Sequence, residues 1–140
     1  MYIFWNHARM WAWEKIRGGT LENRKVAGIV MLHLEDGAKR FLLHATGSTL
    51  ELAYADYSEG KTGLANILEL LKSTVELDVK KIDLVELTNG QINRENVPMF
   101  VFEAEEAAQK SELPAGYYWE EPQKFREIIR NYDIEGMPYF

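Results

Sequence analysis

Residues 45–77, ATGSTLELAYADYSEGKTGLANILELLKSTVEL, predict a strand, a loop and one amphipathic helix, around which the rest of the chain is arranged. Thr62 is placed to begin the helix, because a threonine side chain at an N-terminal cap accepts a backbone hydrogen bond. Apolar residues at three- and four-residue steps form one helix face: Leu64, Ile67, Leu68, Leu71 and Val75. The opposite stripe is polar: Asn66, Glu69, Lys72, Ser73 and Glu76. We therefore expect the apolar face to pack on a sheet, with the loop at residues 54–61 beside the polar stripe.

Length, composition and charge restrict the class of protein. A chain of 140 residues predicts one domain, and a net charge of -6 argues against general binding to nucleic-acid polymers or anionic membranes. The sequence has no cysteine, which excludes disulfide and thiolate chemistry. It has no apolar run of about 18 residues and no basic start followed by an apolar segment, so we expect a cytoplasmic protein without a membrane span.

The N-terminal segment, residues 1–24, is rich in aromatic side chains and contains all but one of the four tryptophans. Two structures stay open for it: a helix that begins at Asn6 and ends at Gly18, or a strand over residues 9–13. Its aromatic residues either close one end of the core or form a homodimer contact through Trp11 or Trp13. We expect this segment to belong to the domain or to act as a dimer arm, with the main domain at residues 25–140.

The remaining hydrophobic pattern predicts further strands and a second helix. The predicted strands are residues 25–34, 39–44, 49–54, 79–87, 97–102 and 115–119. Turns are expected at residues 35–37 and at Asn89-Gly90, and Pro98 should lie at the beginning or edge of its strand. Pro122 suits the first turn of a helix. The apolar face of that helix is Phe125, Ile128, Ile129 and Tyr132. This order predicts an α+β fold, an α/β/α sandwich with a central mixed sheet and two main helices.

Three stretches of the chain resemble the Nudix (MutT-like) hydrolase family. AGIVMLHLEDGAKRFLLHA at residues 27–45 resembles the opening hairpin of the family. SEGKTGLANILELLKSTVEL at 58–77 is similar to the Nudix box, and GYYWEEPQKFREII at 116–129 resembles the final strand and closing helix. The resemblance covers residues 25–135 and implies a Nudix-like sandwich. It also implies hydrolysis of a nucleoside diphosphate linked to another group, with Mg²⁺ or Mn²⁺ as cofactor.

The resemblance also assigns positions in the box. The family helix carries Arg-Glu-Leu, one free residue, Glu-Glu, one free residue and Gly, and its glutamates hold the divalent cations. In this chain the first glutamate matches Glu69, the Glu-Glu pair falls on Lys72 and Ser73, and the glycine falls on Val75. Lys61 replaces the glutamate of the Gly-Glu-Thr entrance. These replacements predict weak or absent hydrolysis, and Asp56 and Glu59 are further candidate metal ligands before the helix.

Two functional classes stay open at this point. The first is a hydrolase in which Glu69 is the remaining catalytic, metal-binding acid. The second is a non-catalytic Nudix-fold module that binds a nucleotide-like ligand or a protein partner. In such a site Lys61 and Lys72 would pair with phosphate oxygens beside Ser73, and Tyr118 would stack on a base. Two structural alternatives also stay open: Glu69 forms a surface ion pair with Lys72, and the aromatic cluster at residues 117–119 belongs to the core.

Overall fold

A computed structural model describes residues 25–58, 60–92 and 95–134. The strands are β1 (Lys25–His33), β2 (Lys39–Thr46), β3 (Thr49–Glu51), β4 (Ala53–Asp56), β5 (Ile82–Ile92), β6 (Glu95–Glu105), β7 (Tyr117–Glu120) and β8 (Asp133–Ile134). The helices are α1 (Gly63–Glu69), which continues as a π-helix at Leu70–Thr74, and α2 (Pro122–Ile129). Short 3₁₀ turns lie at Val79–Lys81 and Glu106–Ala108. Neither helix in these ranges is long and apolar enough to cross a bilayer.

The strands form one mixed sheet. Its order is β3-β2-β1-β6-β5-β8, with β4 paired to β1 and β7 paired to β2. β1 and β6 run parallel, and the other strand pairs of the described residues are antiparallel. The predicted central mixed sheet is therefore confirmed.

A hydrophobic core lies on each side of this sheet. Val30 and Leu32 of β1 belong to the core under α1, whereas Ile29 and Met31 belong to the core under α2. This alternation is expected, because successive strand residues point to opposite faces and a central strand is apolar on both. The two-sided burial confirms the α/β/α sandwich and the buried first strand.

Local signals placed the first hairpin and the second helix correctly. Asp36 accepts a hydrogen bond from the Ala38 backbone at 2.9 Å, and Gly37 has a φ of 89°, as the predicted turn requires. Pro122 occupies the first turn of α2. The predicted strand at residues 49–54 is divided at Leu52, because β3 pairs with β2 and β4 pairs with β1.

The predicted turn at Asn89-Gly90 is wrong, since both residues lie inside β5 opposite Pro98 and Val97. A Cβ atom on Gly90 would collide with the terminal methyl of Met99. The glycine therefore serves a close approach within the sheet and not a turn. β5 also begins later than the predicted residue 79, because the 3₁₀ turn at Val79–Lys81 precedes it.

Two predicted features lie outside the described residues. The first is the N-terminal segment, residues 1–24, with its helix, strand and dimer-arm alternatives. The second is the C-terminal end, residues 135–140, of the main domain predicted at residues 25–140. The helix α2 itself ends at Ile129.

A pair of tyrosines joins β4 to the residues that follow α2. The Tyr54 hydroxyl donates to the Tyr132 hydroxyl at 2.7 Å, and that oxygen also accepts the Leu52 backbone N–H at 3.2 Å. Burial is the largest cause that raises the pKa of Tyr54 well above its usual range, followed by its hydrogen bond to Tyr132. The folded state therefore keeps Tyr54 protonated at a pH at which the unfolded chain would lose that proton.

This shift predicts alkaline destabilisation. An unfolded tyrosine ionises near pH 10. Above that pH the unfolded chain loses the proton that folded Tyr54 keeps, so the contribution of Tyr54 to the free energy of unfolding is fully present below about pH 10 and declines as the pH rises towards the folded pKa. Urea unfolding at a series of pH values should show this decline, and Tyr54→Phe should make it shallower. Tyr118→Phe is the matched control, because Tyr118 is exposed. Equal slopes for the parent and Tyr54→Phe would contradict the prediction.

Candidate functional site

The start of α1 has the predicted cap. The Thr62 side chain accepts a hydrogen bond from the Ala65 backbone at 3.1 Å, as expected for an N-terminal cap. Ile67 then packs close to β1 at Gly28, where a Cβ atom would lie 2.9 Å from the Ile67 Cγ1 atom. The cap and this close approach fix the position of the helix on the sheet.

The buried face of the helix differs from the predicted face in two respects. Ile67, Leu71 and Val75 are buried as predicted, but Leu64 and Leu68 are only half-buried. Asn66 was predicted on the polar stripe, which is wrong, because it is buried and donates its side-chain amide to the Thr62 carbonyl at 2.9 Å. A polar side chain can be buried at this position because the Thr62 carbonyl has two lone pairs, and it accepts the side-chain amide as well as the Asn66 backbone N–H at 3.1 Å.

The second half of the helix is a π turn and not the regular α-helix that the sequence pattern predicts. The Val75 backbone N–H donates to the Leu70 carbonyl at 2.9 Å, and the Leu77 N–H donates to the Leu71 carbonyl at 2.9 Å. Glu76 ends the turn with a φ of 63°, in the left-handed region. Single π turns inside helices are rare and frequently lie at functional sites.

The polar side of the helix after Asn66 is exposed and holds one internal contact. Glu69, Lys72, Ser73 and Thr74 are all exposed, and the Ser73 hydroxyl donates to a Glu69 carboxylate oxygen at 3.0 Å. The ion pairs of the described residues do not include the alternative Glu69–Lys72 pair. The structure therefore brings a hydroxyl group, and not the lysine ammonium, to the one carboxylate of this stretch.

Among the described residues, Asp56 and Lys61, which were also predicted at the site, form no hydrogen bond or ion pair with Glu69. Asp56 lies at the end of β4 and its carboxylate is 3.4 Å from the Lys25 ammonium, with both side chains exposed. Lys61 is exposed, and Glu59 lies outside the described residues. Within the described ranges, no group of three or more histidine, aspartate or glutamate side chains is placed to hold a metal ion.

A second polar and aromatic surface lies where β2 pairs with β7. His44 and Tyr117 are register partners whose rings stack with centroids 4.5 Å apart and planes at 24°. Gly116, which precedes Tyr117, has a φ of 93°, a conformation that favours glycine, and a Cβ atom there would lie at an ordinary van der Waals distance of 3.6 Å from the imidazole. The sequence did not predict this contact, because nothing in a local pattern indicates that residue 44 lies beside residue 117.

The tyrosines and the tryptophan of β7 have different surroundings. Tyr117 and Trp119 pack against the core under α1, and burial raises the pKa of Tyr117. The Trp119 indole N–H is buried without a hydrogen-bond acceptor in the described structure. Tyr118 is 49% exposed and is the β7 aromatic residue that presents most surface to a ligand.

Comparison with known proteins gives similar structures at low sequence identity. No family model matches the sequence. An Ap4A hydrolase from C. elegans is similar over 76% of this chain and 86% of its own, with 11% identity and a TM-score of 0.59. RenU, a Nudix hydrolase from M. smegmatis, is similar over 76% of each chain, with 13% identity and a TM-score of 0.55. The NUDIX domain of Shewanella oneidensis NrtR, solved with ADP ribose, is similar over 86% of each chain, with 11% identity and a TM-score of 0.53. Together with the mixed sheet between two helices, these likenesses show that the chain has the Nudix fold.

Proposed function

We propose that this chain is a Nudix-fold module that binds a nucleotide-like ligand and has weak or no metal-dependent hydrolase activity. The observation that carries the proposal is the Ser73–Glu69 hydrogen bond beside the exposed Lys72. One carboxylate, one hydroxyl group and one ammonium stand where the resemblance implies a set of carboxylates.

This donor set does not fit Mg²⁺ or Mn²⁺. Hard divalent cations take several oxygen ligands, usually including carboxylates, and α1 supplies only Glu69. An ammonium 4 Å from a unit positive charge is repelled by about 4 kcal/mol at an effective dielectric near 20, and a divalent ion roughly doubles that. Lys72 is exposed and can move its ammonium into water, which removes much of this repulsion but supplies no ligand. Asp56 is already paired with Lys25.

The same residues suit a phosphate. Lys72 and Lys61 are exposed cations near the two ends of α1. The Ser73 hydroxyl becomes a further donor when its single O–H turns from the Glu69 carboxylate to the phosphate. Charge-assisted hydrogen bonds to phosphate oxygens are among the stronger ones in proteins. The NrtR domain was solved with ADP ribose, which makes a nucleoside diphosphate linked to a sugar the ligand class to test first. Tyr118 and the His44–Tyr117 stack are the candidate surfaces for its base.

We predict that ADP ribose binds to the full chain without added metal and that Lys72→Ala weakens binding by about tenfold, the loss expected for one charge-assisted hydrogen bond. Isothermal titration calorimetry measures both affinities. Lys124→Ala is the matched control, since Lys124 is an exposed lysine on α2, at the other face of the sheet. This variant removes the same charge and should leave binding unchanged.

Two results would contradict the proposal. An equal loss of affinity for ADP ribose in Lys72→Ala and Lys124→Ala would show that binding depends only on the net charge of the protein. Brisk turnover of ADP ribose or Ap4A by the parent protein with Mn²⁺ would favour the hydrolase, with Glu69 and the candidates Asp56 and Glu59 as its metal ligands.

A further inference from the structure

The π turn changes which residues follow Glu69 on its face of the helix. In a regular α-helix these are the residues three and four positions later, Lys72 and Ser73. The Val75–Leu70 hydrogen bond encloses one residue more than an α-helical bond does. Side chains after the turn are therefore displaced by one position along the sequence.

Ser73, at the fourth position, lies beside Glu69 in both kinds of helix, so the informative residue is Lys72 at the third position. The Glu69 carboxylate is bonded to Ser73, four positions later, and not to Lys72, three positions later. A lysine at the third position of a regular helix would be a natural ion-pair partner for a glutamate.

The backbone at the end of the turn gives an independent indication. A glycine that directly follows a helix typically adopts a left-handed conformation. Val75, which the ungapped comparison places at the glycine of the Nudix box, has a φ of -85°, whereas Glu76 has a φ of 63°. The glycine position therefore corresponds to Glu76. In the Nudix box the Glu-Glu pair stands three and two residues before the glycine, so it corresponds to Ser73 and Thr74.

We propose that the helix face to which the Nudix resemblance assigns cation binding is formed in this chain by Glu69, Ser73 and Thr74, and that Lys72 lies one position outside this face. Both Ser73 and Thr74 are exposed and carry hydroxyl groups, which donate hydrogen bonds to phosphate oxygens. The face thus takes a phosphate group directly, and it would take a divalent ion if both hydroxyl residues were carboxylates. Lys72 still reaches a phosphate from beside this face, because its stem is long and flexible. The assignment of hydroxyl donors rests on the proposed function, whereas the register of the face does not.

The test compares two double variants in Mn²⁺ titrations by calorimetry. Ser73→Glu with Thr74→Glu should bind Mn²⁺ about tenfold or more tightly than Lys72→Glu with Ser73→Glu, because ligand placement sets the affinity for a hard cation. Charge alone predicts the opposite order, since the second variant also loses a positive charge. Binding by the Lys72 variant that is equal or tighter, or no binding by either, would overturn the proposal.

Controls keep the result interpretable. All three positions are exposed, so both variants should keep the parental far-ultraviolet circular dichroism and melting temperature. The single variants Thr74→Glu and Lys72→Glu repeat the comparison with one added carboxylate each, and the same order is expected. The titrations contain Mn²⁺ and no nucleotide, so failure of the register assignment is distinguishable from failure of ADP ribose binding.

Discussion

Replacing Phe125 with alanine should lower the free energy of unfolding by about 3–5 kcal/mol. Phe125 is fully buried between α2 and the sheet, where its ring stacks on Phe41 with centroids 4.1 Å apart and planes at 10°. The substitution removes the ring and leaves a cavity that Ile129 and Leu43, in the same core, fill only in part. The stacked pair adds to the loss, because aromatic pairs contribute beyond the area that they bury.

Urea unfolding followed by circular dichroism measures this change. Gln123→Ala is the matched control, because Gln123 is exposed in the same helix and its replacement should change stability by no more than about 0.5 kcal/mol. A loss below about 1 kcal/mol for Phe125→Ala would mean that α2 does not close this side of the sheet.

Much of the fold could be predicted because local and tertiary preferences agree. The nearly all-apolar β1, the Thr62 cap and Pro122 at the first turn of α2 each satisfy a backbone or packing requirement within a few residues. In the structure, each of these features lies at the residues that the sequence pattern predicts. Features of this kind can be predicted from one sequence because no contact with a distant residue opposes the local preference.

The incorrect predictions share the opposite cause. Asn89-Gly90 is a strong local turn signal, but the sheet uses Gly90 for the close approach of Met99. Asn66 falls on the polar side of a helical pattern, yet the Thr62 carbonyl satisfies it in the interior. In both cases tertiary packing overrides a local preference, and the partner residue cannot be identified from the local sequence.

The candidate site shows a further limit. The 64–75 apolar pattern predicts a regular helix, and a single π turn leaves the alternation of apolar and polar residues almost unchanged. Its effect is a displacement of one residue, which matters little for burial but decides which side chain stands beside Glu69. The His44–Tyr117 stack was missed for a different reason, because strand register joins residues far apart in the sequence.

Leu71→Ala tests the helix that carries the candidate site, and it should lower the free energy of unfolding by about 2–5 kcal/mol. Leu71 is fully buried in the π turn and belongs to the core that contains Ile67 and Leu77. Alanine keeps the Leu71 carbonyl, which accepts the Leu77 N–H at 2.9 Å, and it has the highest helix propensity. The loss therefore reports side-chain packing and not damage to the backbone of the turn.

Two variants from the same helix make the Leu71→Ala result specific. Lys72→Ala, at the exposed next position, should change stability by no more than about 0.5 kcal/mol. Leu68→Ala should give an intermediate loss, because Leu68 is only half-buried. Thermal and urea unfolding of the three variants measure this order directly. A larger loss for Leu68→Ala than for Leu71→Ala would mean that the helix is rotated so that Leu68, and not Leu71, faces the sheet. That rotation would remove the geometric basis for placing Ser73 and Thr74 beside Glu69.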